Sequence, residues 1–110
     1  MRKIALVGAL AIAFASRAAA QAADGKALYD ELCKKCHGAL GTPPKTMQAK
    51  FEKIKKFDAE YMAKRTDDSV VKVLTKGKNE DMKSFKEKMK PDEMAAVAKY
   101  VHELAAKAKP

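Results

Sequence analysis

Beyond residue 22 no stretch of the chain alternates apolar and polar residues strictly, so the pattern is helical or irregular throughout. Asp24 suits an N-cap, and the run GKALYDELCKKC that follows predicts a first helix over residues 25–36. Its apolar side is Leu28, Tyr29, Leu32 and Cys36, at spacings of three and four. Gly38, Gly41, Pro43 and Pro44 then break the chain into a loop. Residues 45–58 are lysine-rich, with Met47, Phe51, Ile54 and Phe57 as isolated apolar points, and predict loop or short helical turns. A short helix is expected over residues 58–64, around Tyr61 and Met62. Thr66 heads the next helix, with Asp67 and Asp68 in its first turn, Val70, Val71, Val73 and Leu74 as its body, and Gly77 at its end. A polar loop carries Met82, Phe85 and Met89. Pro91 opens the last helix, Asp92 and Glu93 suit its first turn, and Lys107 and Lys109 suit its C-terminus. Met94, Val97, Ala98, Val101, Leu104 and Ala105 form one stripe along it. The expected fold is a single all-α domain of three main helices joined by long loops, and such loops need something to wrap around.

The first residues read differently. MRK is a charged start, IALVGALAIAF an apolar run too short for an ordinary membrane span, and ASRAAAQAA supplies small residues at cleavage spacing. Residues 1–20 are therefore expected to be a secretory signal peptide, cleaved after Ala20 or Ala22, ahead of a domain over residues 21–110. The competing reading is an uncleaved anchor, against which Arg17 closes the apolar run early. The whole chain of 110 residues carries a net charge of +9, of which Arg2, Lys3 and Arg17 would leave with the signal. The whole chain has no Trp, four Phe and three Tyr, and Phe14 would leave with the signal, so the aromatic filling of the remaining domain is thin and a staple or a large cofactor is expected. Export would place the protein in the periplasm, where a thiol pair is oxidised unless something else claims the sulfurs.

That matters for CKKCH, which holds the only two cysteines, Cys33 and Cys36, followed directly by His37. A structural zinc site needs four ligands, and the one other histidine, His102, stands alone on the last helix. A thioredoxin-like pair heads a helix after a strand, whereas this pair closes a helix and no strand pattern exists. A disulfide at this spacing closes a tiny loop and removes little unfolded-state entropy. Covalent haem attachment fits better. Cysteines three apart on a helical turn share one face, so both sulfurs can reach the two vinyl groups on one side of a porphyrin, and the next residue turns its imidazole onto the iron.

With these residues in view the sequence resembles the class I c-type cytochromes, in their small bacterial monohaem branch, from about Gly25 to Leu104. GKALY before CKKCHG resembles the family's first helix, the two prolines the loop whose carbonyl orients the proximal histidine, MKSF the axial-ligand loop, and MAAVAKYVHEL the C-terminal helix. The resemblance implies a cytochrome c fold around one haem c per chain, bound through thioethers of Cys33 and Cys36 with His37 as proximal iron ligand. It implies that Pro43 or Pro44 supplies the carbonyl behind His37, and that Gly25 lets the first helix approach the last near Val97 and Tyr100, with Tyr29 across the contact. For the distal ligand it points to Met82, three residues before Phe85. Met89 and Met94 read as core, Met47 and Met62 come too early in the chain, and Met1 leaves with the signal. Lys83 stands where the family commonly has proline, and losing that fixed φ is expected to loosen the loop. His102 lies beside the apolar stripe and reads as a solvated helix residue.

The function these readings imply is single-electron transfer without catalysis, because two filled axial positions leave the iron no site for substrate. Two alternatives stay open: a five-coordinate haem protein that binds a small gas or reduces peroxide, and a thiol–disulfide redox protein. Two lysine groups, Lys50, Lys53, Lys55 and Lys56, and Lys83, Lys86, Lys88 and Lys90, are either a solvated surface or a basic ring that steers an acidic redox partner into a weak, salt-sensitive complex. Export and the lack of interleaved aromatics argue against nucleic acid. A monomer with no membrane span in its mature form is expected.

Overall fold

A computed structural model describes residues 23–108; the expected signal peptide lies outside them. The described residues form six helices and no strand: α1 Gly25–Leu32, α2 Lys34–His37, α3 Lys45–Lys50, α4 Ala59–Ala63, α5 Asp67–Lys76 and α6 Pro91–Lys107. α6 is the centre of the arrangement, with α1, α4 and α5 all packed on it.

The starts of these helices follow from side chains that accept otherwise unused backbone N–H groups. Asp24 accepts from Ala27 N, Asp58 from Tyr61 N and Thr66 Oγ1 from Ser69 N. At α6 the Glu93 carboxylate reaches back to Lys90 N at 2.8 Å, and Pro91 occupies a first-turn position that needs no N–H. The stripe expected on α6 is buried residue for residue: Met94, Val97, Ala98, Val101, Leu104 and Ala105. Tyr29, Cys33, Met62, Leu74 and Met89 complete the core with them.

The first helix departs from expectation. It does not run from 25 to 36 but breaks at Cys33, whose φ of −122° lies outside the helical range. Cys33 N still bonds Tyr29 O, and a fresh turn then begins, with Cys36 N and His37 N both bonding Cys33 O. The cysteine–histidine segment is thus a turn of its own, free to face a direction that a straight helix would not allow. The lysine-rich stretch forms the six-residue α3, in line with the short turns expected there.

α1 crosses α6 backbone to backbone. A Cβ on Gly25 would run into the Ala96 carbonyl and stand 3.1 Å from Tyr100 Cβ. The contact falls on Ala96 and Tyr100, one residue from the Val97 that the resemblance suggested. Tyr29, with 0% exposure, packs its ring 5.3 Å from that of Tyr100 at an interplanar angle of 59°.

His102 also differs from expectation. It is half-buried and ties α6 to the α4–α5 connection: Nε2 lies 2.7 Å from Arg65 O, and Nδ1 lies 2.8 Å from Asp67 Oδ1 and 3.1 Å from Ala98 O. All three partners accept hydrogen bonds, so the ring satisfies them fully only when both nitrogens carry a proton. Burial by itself would lower its pKa, but the Arg65 and Ala98 carbonyls and the Asp67 carboxylate outweigh this and hold it above its ordinary value.

Candidate cofactor site

The site grows out of the break at Cys33. Cys33 and Cys36 lie one turn apart and are both free thiols, the first buried and the second half-buried. Burial, and secondarily the nearby Cys36, pushes the Cys33 thiol up to about 11. A thiol so reluctant to ionise is a poor nucleophile for thiol–disulfide exchange, which counts against that alternative.

His37 follows on the same turn. Its imidazole stacks on Phe57, with centroids 4.7 Å apart and planes inclined by 22°. Burial holds its pKa below the ordinary value, which favours the neutral ring, the form that binds a metal. Its Nδ1 is buried without a hydrogen-bond partner. A buried polar atom left unpaired costs free energy and calls for an explanation. A neutral imidazole pinned beside two free cysteines on one turn fits covalent attachment of a haem, with His37 on the iron.

The loop beyond His37 is built to return under it. Gly38 has φ +87°, and a Cβ there would strike the Thr42 carbonyl. Gly38 O accepts from Gly41 N at 3.2 Å and from the buried Tyr29 hydroxyl at 2.7 Å, which ties the histidine's neighbour to α1. Phe57 N bonds Gly41 O at 2.8 Å, which brings the stacking ring into place. Of the two prolines, Pro44 has spent its carbonyl on Met47 N and Gln48 N at the head of α3. Pro43 is buried, and its carbonyl accepts one bond, from Gln48 Nε2 at 2.7 Å. Pro43 thus keeps a lone pair that Pro44 has spent, and His37 Nδ1 bonds neither carbonyl.

Met82 comes from the α5–α6 connection and packs, half-buried, against the core cluster that includes Cys33 and Met89. With Lys83 in place of proline, its loop is held by hydrogen bonds at several points. Asn79 Oδ1 accepts from both Asp81 N and Met82 N at 2.9 Å, and Met82 O accepts from Lys78 N at 2.7 Å. Ser84 Oγ donates to Thr75 O at 2.6 Å, and Phe85 N to Leu74 O at 2.7 Å. Gly77 admits this returning segment closely, since a Cβ there would lie 2.6 Å from Ser84 N. Met62, Met89 and Met94 are buried in the core, and the Met94 sulfur accepts from Thr75 Oγ1 at 3.3 Å. All eight residues of the two lysine groups are exposed. Sequence reasoning passed over the Tyr29 hydroxyl, Asn79 and Leu40, an apolar side chain left 74% exposed just beyond His37. Only Asn79 left a readable sign, as a residue type that closes turns on its own backbone.

The comparisons with known proteins agree with this geometry. Residues 20–101 match the family described as cytochrome C oxidase, cbb3-type, subunit III. The solved structure of the KustC0563 c-type cytochrome is similar at 36% identity and a TM-score of 0.66, covering 74% of this chain and 96% of that one. A variant of the same cytochrome with one tyrosine changed to phenylalanine is similar at 35% identity and a TM-score of 0.65, covering 74% and 98%. No curated protein matches the chain. A family match across most of the chain, a shared fold and a CKKCH turn with free cysteines beside a half-buried histidine lead to one conclusion: the chain belongs to the cbb3-type subunit III family and is a small all-α c-type cytochrome, a haem-based electron carrier.

Proposed function

We propose that the protein is a periplasmic single-electron carrier with one haem c, held by thioethers from Cys33 and Cys36, with His37 as proximal and Met82 as distal ligand. The observation that carries this reading is the His37 imidazole, its Nδ1 buried and unpartnered, on the same turn as two free cysteines. When bound, the haem supplies one-electron iron chemistry at a potential set by its ligands and surroundings.

The chain's own residues account for the rest. Burial keeps His37 neutral, so its lone pair is available. The Pro43 carbonyl, accepting the Nδ1 proton, would fix the ring's orientation and raise its basicity. A thioether from Met82 favours the reduced state and leaves no open position for a substrate, which makes the protein a carrier rather than a catalyst. Among the described residues no helix is long and apolar enough to cross a membrane. The signal sequence supports export to the periplasm, where the protein would act as a monomer. The exposed lysines Lys83, Lys86, Lys88 and Lys90 flank the Met82 loop and suit an acidic redox partner met briefly.

Absorption spectra of the oxidised and reduced protein test the reading. A Soret band is expected, with a far-red sulfur-to-iron band in the oxidised form that Met82→Ala abolishes. Retention of that band in Met82→Ala refutes the distal assignment. Its absence from the wild-type protein, together with ready binding of carbon monoxide, supports the five-coordinate alternative.

A further inference from the structure

We propose that Asn79 is a positioning residue for the distal ligand, doing through its side chain what a proline after Met82 would do through its ring. The proposal rests on Met82 as that ligand. Proline at position 83 would fix its own φ and confine Met82 to extended conformations. Lys83 does neither, and its N–H makes no hydrogen bond among the described residues.

Three residues earlier, Asn79 Oδ1 accepts from Asp81 N and Met82 N, both at 2.9 Å. One acceptor closes the turn around Glu80 and holds the Met82 amide itself. The Met82 peptide is held from its other end as well, since its carbonyl accepts from Lys78 N at 2.7 Å and Asn79 N at 3.3 Å. Lys78 and Asn79 therefore grip the backbone of Met82 at both N–H and C=O. Downstream, Ser84 Oγ and Phe85 N are anchored on the end of α5, at Thr75 O and Leu74 O. Met82 and Lys83 are the stretch between these two anchorages. Without the Asn79 bonds the Met82 N–H would be released, and the thioether would leave its ligand position more often. Asn79 is exposed and outside the core, so its replacement does not empty a packed site.

The test uses ferric holoprotein, with imidazole as the competing ligand and stopped-flow absorbance as readout. Asn79→Ala removes the acceptor; Asn79→Asp keeps an oxygen in place for both N–H groups. Two hydrogen bonds lost from a solvated loop correspond to imidazole binding about five- to tenfold faster, with a weakened far-red band and unchanged helical circular dichroism. Asn79→Asp should stay within about twofold of wild type. Wild-type rates in Asn79→Ala, or equal acceleration in Asn79→Asp, overturn the proposal. Met82→Ala separates the two levels. If it lacks the far-red band while Asn79→Ala behaves as wild type, only the role of Asn79 falls; if it keeps the band, the ligand assignment falls and the positioning role with it.

Discussion

Replacing Tyr29 with phenylalanine isolates one bond in this molecule. The Tyr29 hydroxyl donates to Gly38 O at 2.7 Å in a fully buried setting, linking α1 to the residue after His37. Phenylalanine keeps the ring and its contact with Tyr100, so no cavity of consequence opens. Gly38 O is not orphaned either, because Gly41 N still donates to it at 3.2 Å. The loss should therefore be that of one ordinary hydrogen bond, about 1 kcal/mol, without the added cost of an unsatisfied buried carbonyl. For a domain of this size that lowers Tm by about 4–8 °C. It also lowers the guanidinium midpoint by about 0.3 M at unchanged m. Equilibrium unfolding of the holoprotein, followed by far-ultraviolet circular dichroism, measures both. Tyr29→Ala provides the scale, at about 3–5 kcal/mol for an emptied aromatic site. The pH dependence adds a second check. Burial raises the Tyr29 pKa, so the folded protein keeps a proton that the unfolded chain gives up. The stability this contributes is complete below the unfolded value near 10 and is lost as pH rises through the folded value, so the wild type should weaken above about pH 10 and Tyr29→Phe should lack that part of the slope. A loss above about 3 kcal/mol, or none at all, would refute the reasoning, since the first means a structural collapse and the second means the bond carries nothing.

Other outcomes follow from the same structure. Gly25→Ala puts a methyl group into the Ala96 carbonyl, so α1 must move off α6 at a cost of about 1–3 kcal/mol, measurable as a lower denaturant midpoint. The raised pKa of His102 contributes stability that is complete below the unfolded value near 6.5 and is lost as pH rises through the folded value. Its partner Asp67 is 59% exposed, so the effect is about 0.5 kcal/mol, and unfolding curves from pH 6 to 9 should show a decline that His102→Gln removes. Lys83→Glu with Lys86→Glu should slow electron transfer to an acidic partner at low salt, and rates unchanged at every ionic strength would leave these lysines as solvated surface only.

The parts of the fold that were legible in the sequence are those a local rule governs. The stripe on α6 and the caps at Asp24 and Thr66 depend on residues within a turn or two of each other, and each stands where the pattern put it; Asp58, expected as the first residue of its helix, caps it instead. The break at Cys33 was not legible, because nothing in GKALYDELCKKC opposes a continuous helix; in the structure Tyr29 bonds Gly38 O across the break. His102 was misread for a related reason. Periodicity placed it at the rim of the stripe, but its partners Arg65 and Asp67 lie on another part of the chain. At the candidate site the cysteine–histidine motif put two sulfurs and an imidazole on one short segment, and the structure places them on one turn. Which proline carbonyl keeps a free lone pair needed the structure, since it turns on which one α3 consumes. The hydrogen bonds that Asn79 makes in the Met82 loop were hidden because one looks to a proline, not to an asparagine three residues earlier, to hold such a loop.

The crossing of α1 and α6 also sets an order of events for a growing chain. Tyr29 and Gly25 are covered by residues around Tyr100, near the other end of the sequence. A chain made from its N-terminus exposes α1, and with it Cys33, Cys36 and His37, long before the helix that packs on α1 exists, and bringing such distant segments together is entropically costly. Cys33, buried in the folded protein, is therefore most accessible while the chain is still open, before the last helix closes over α1.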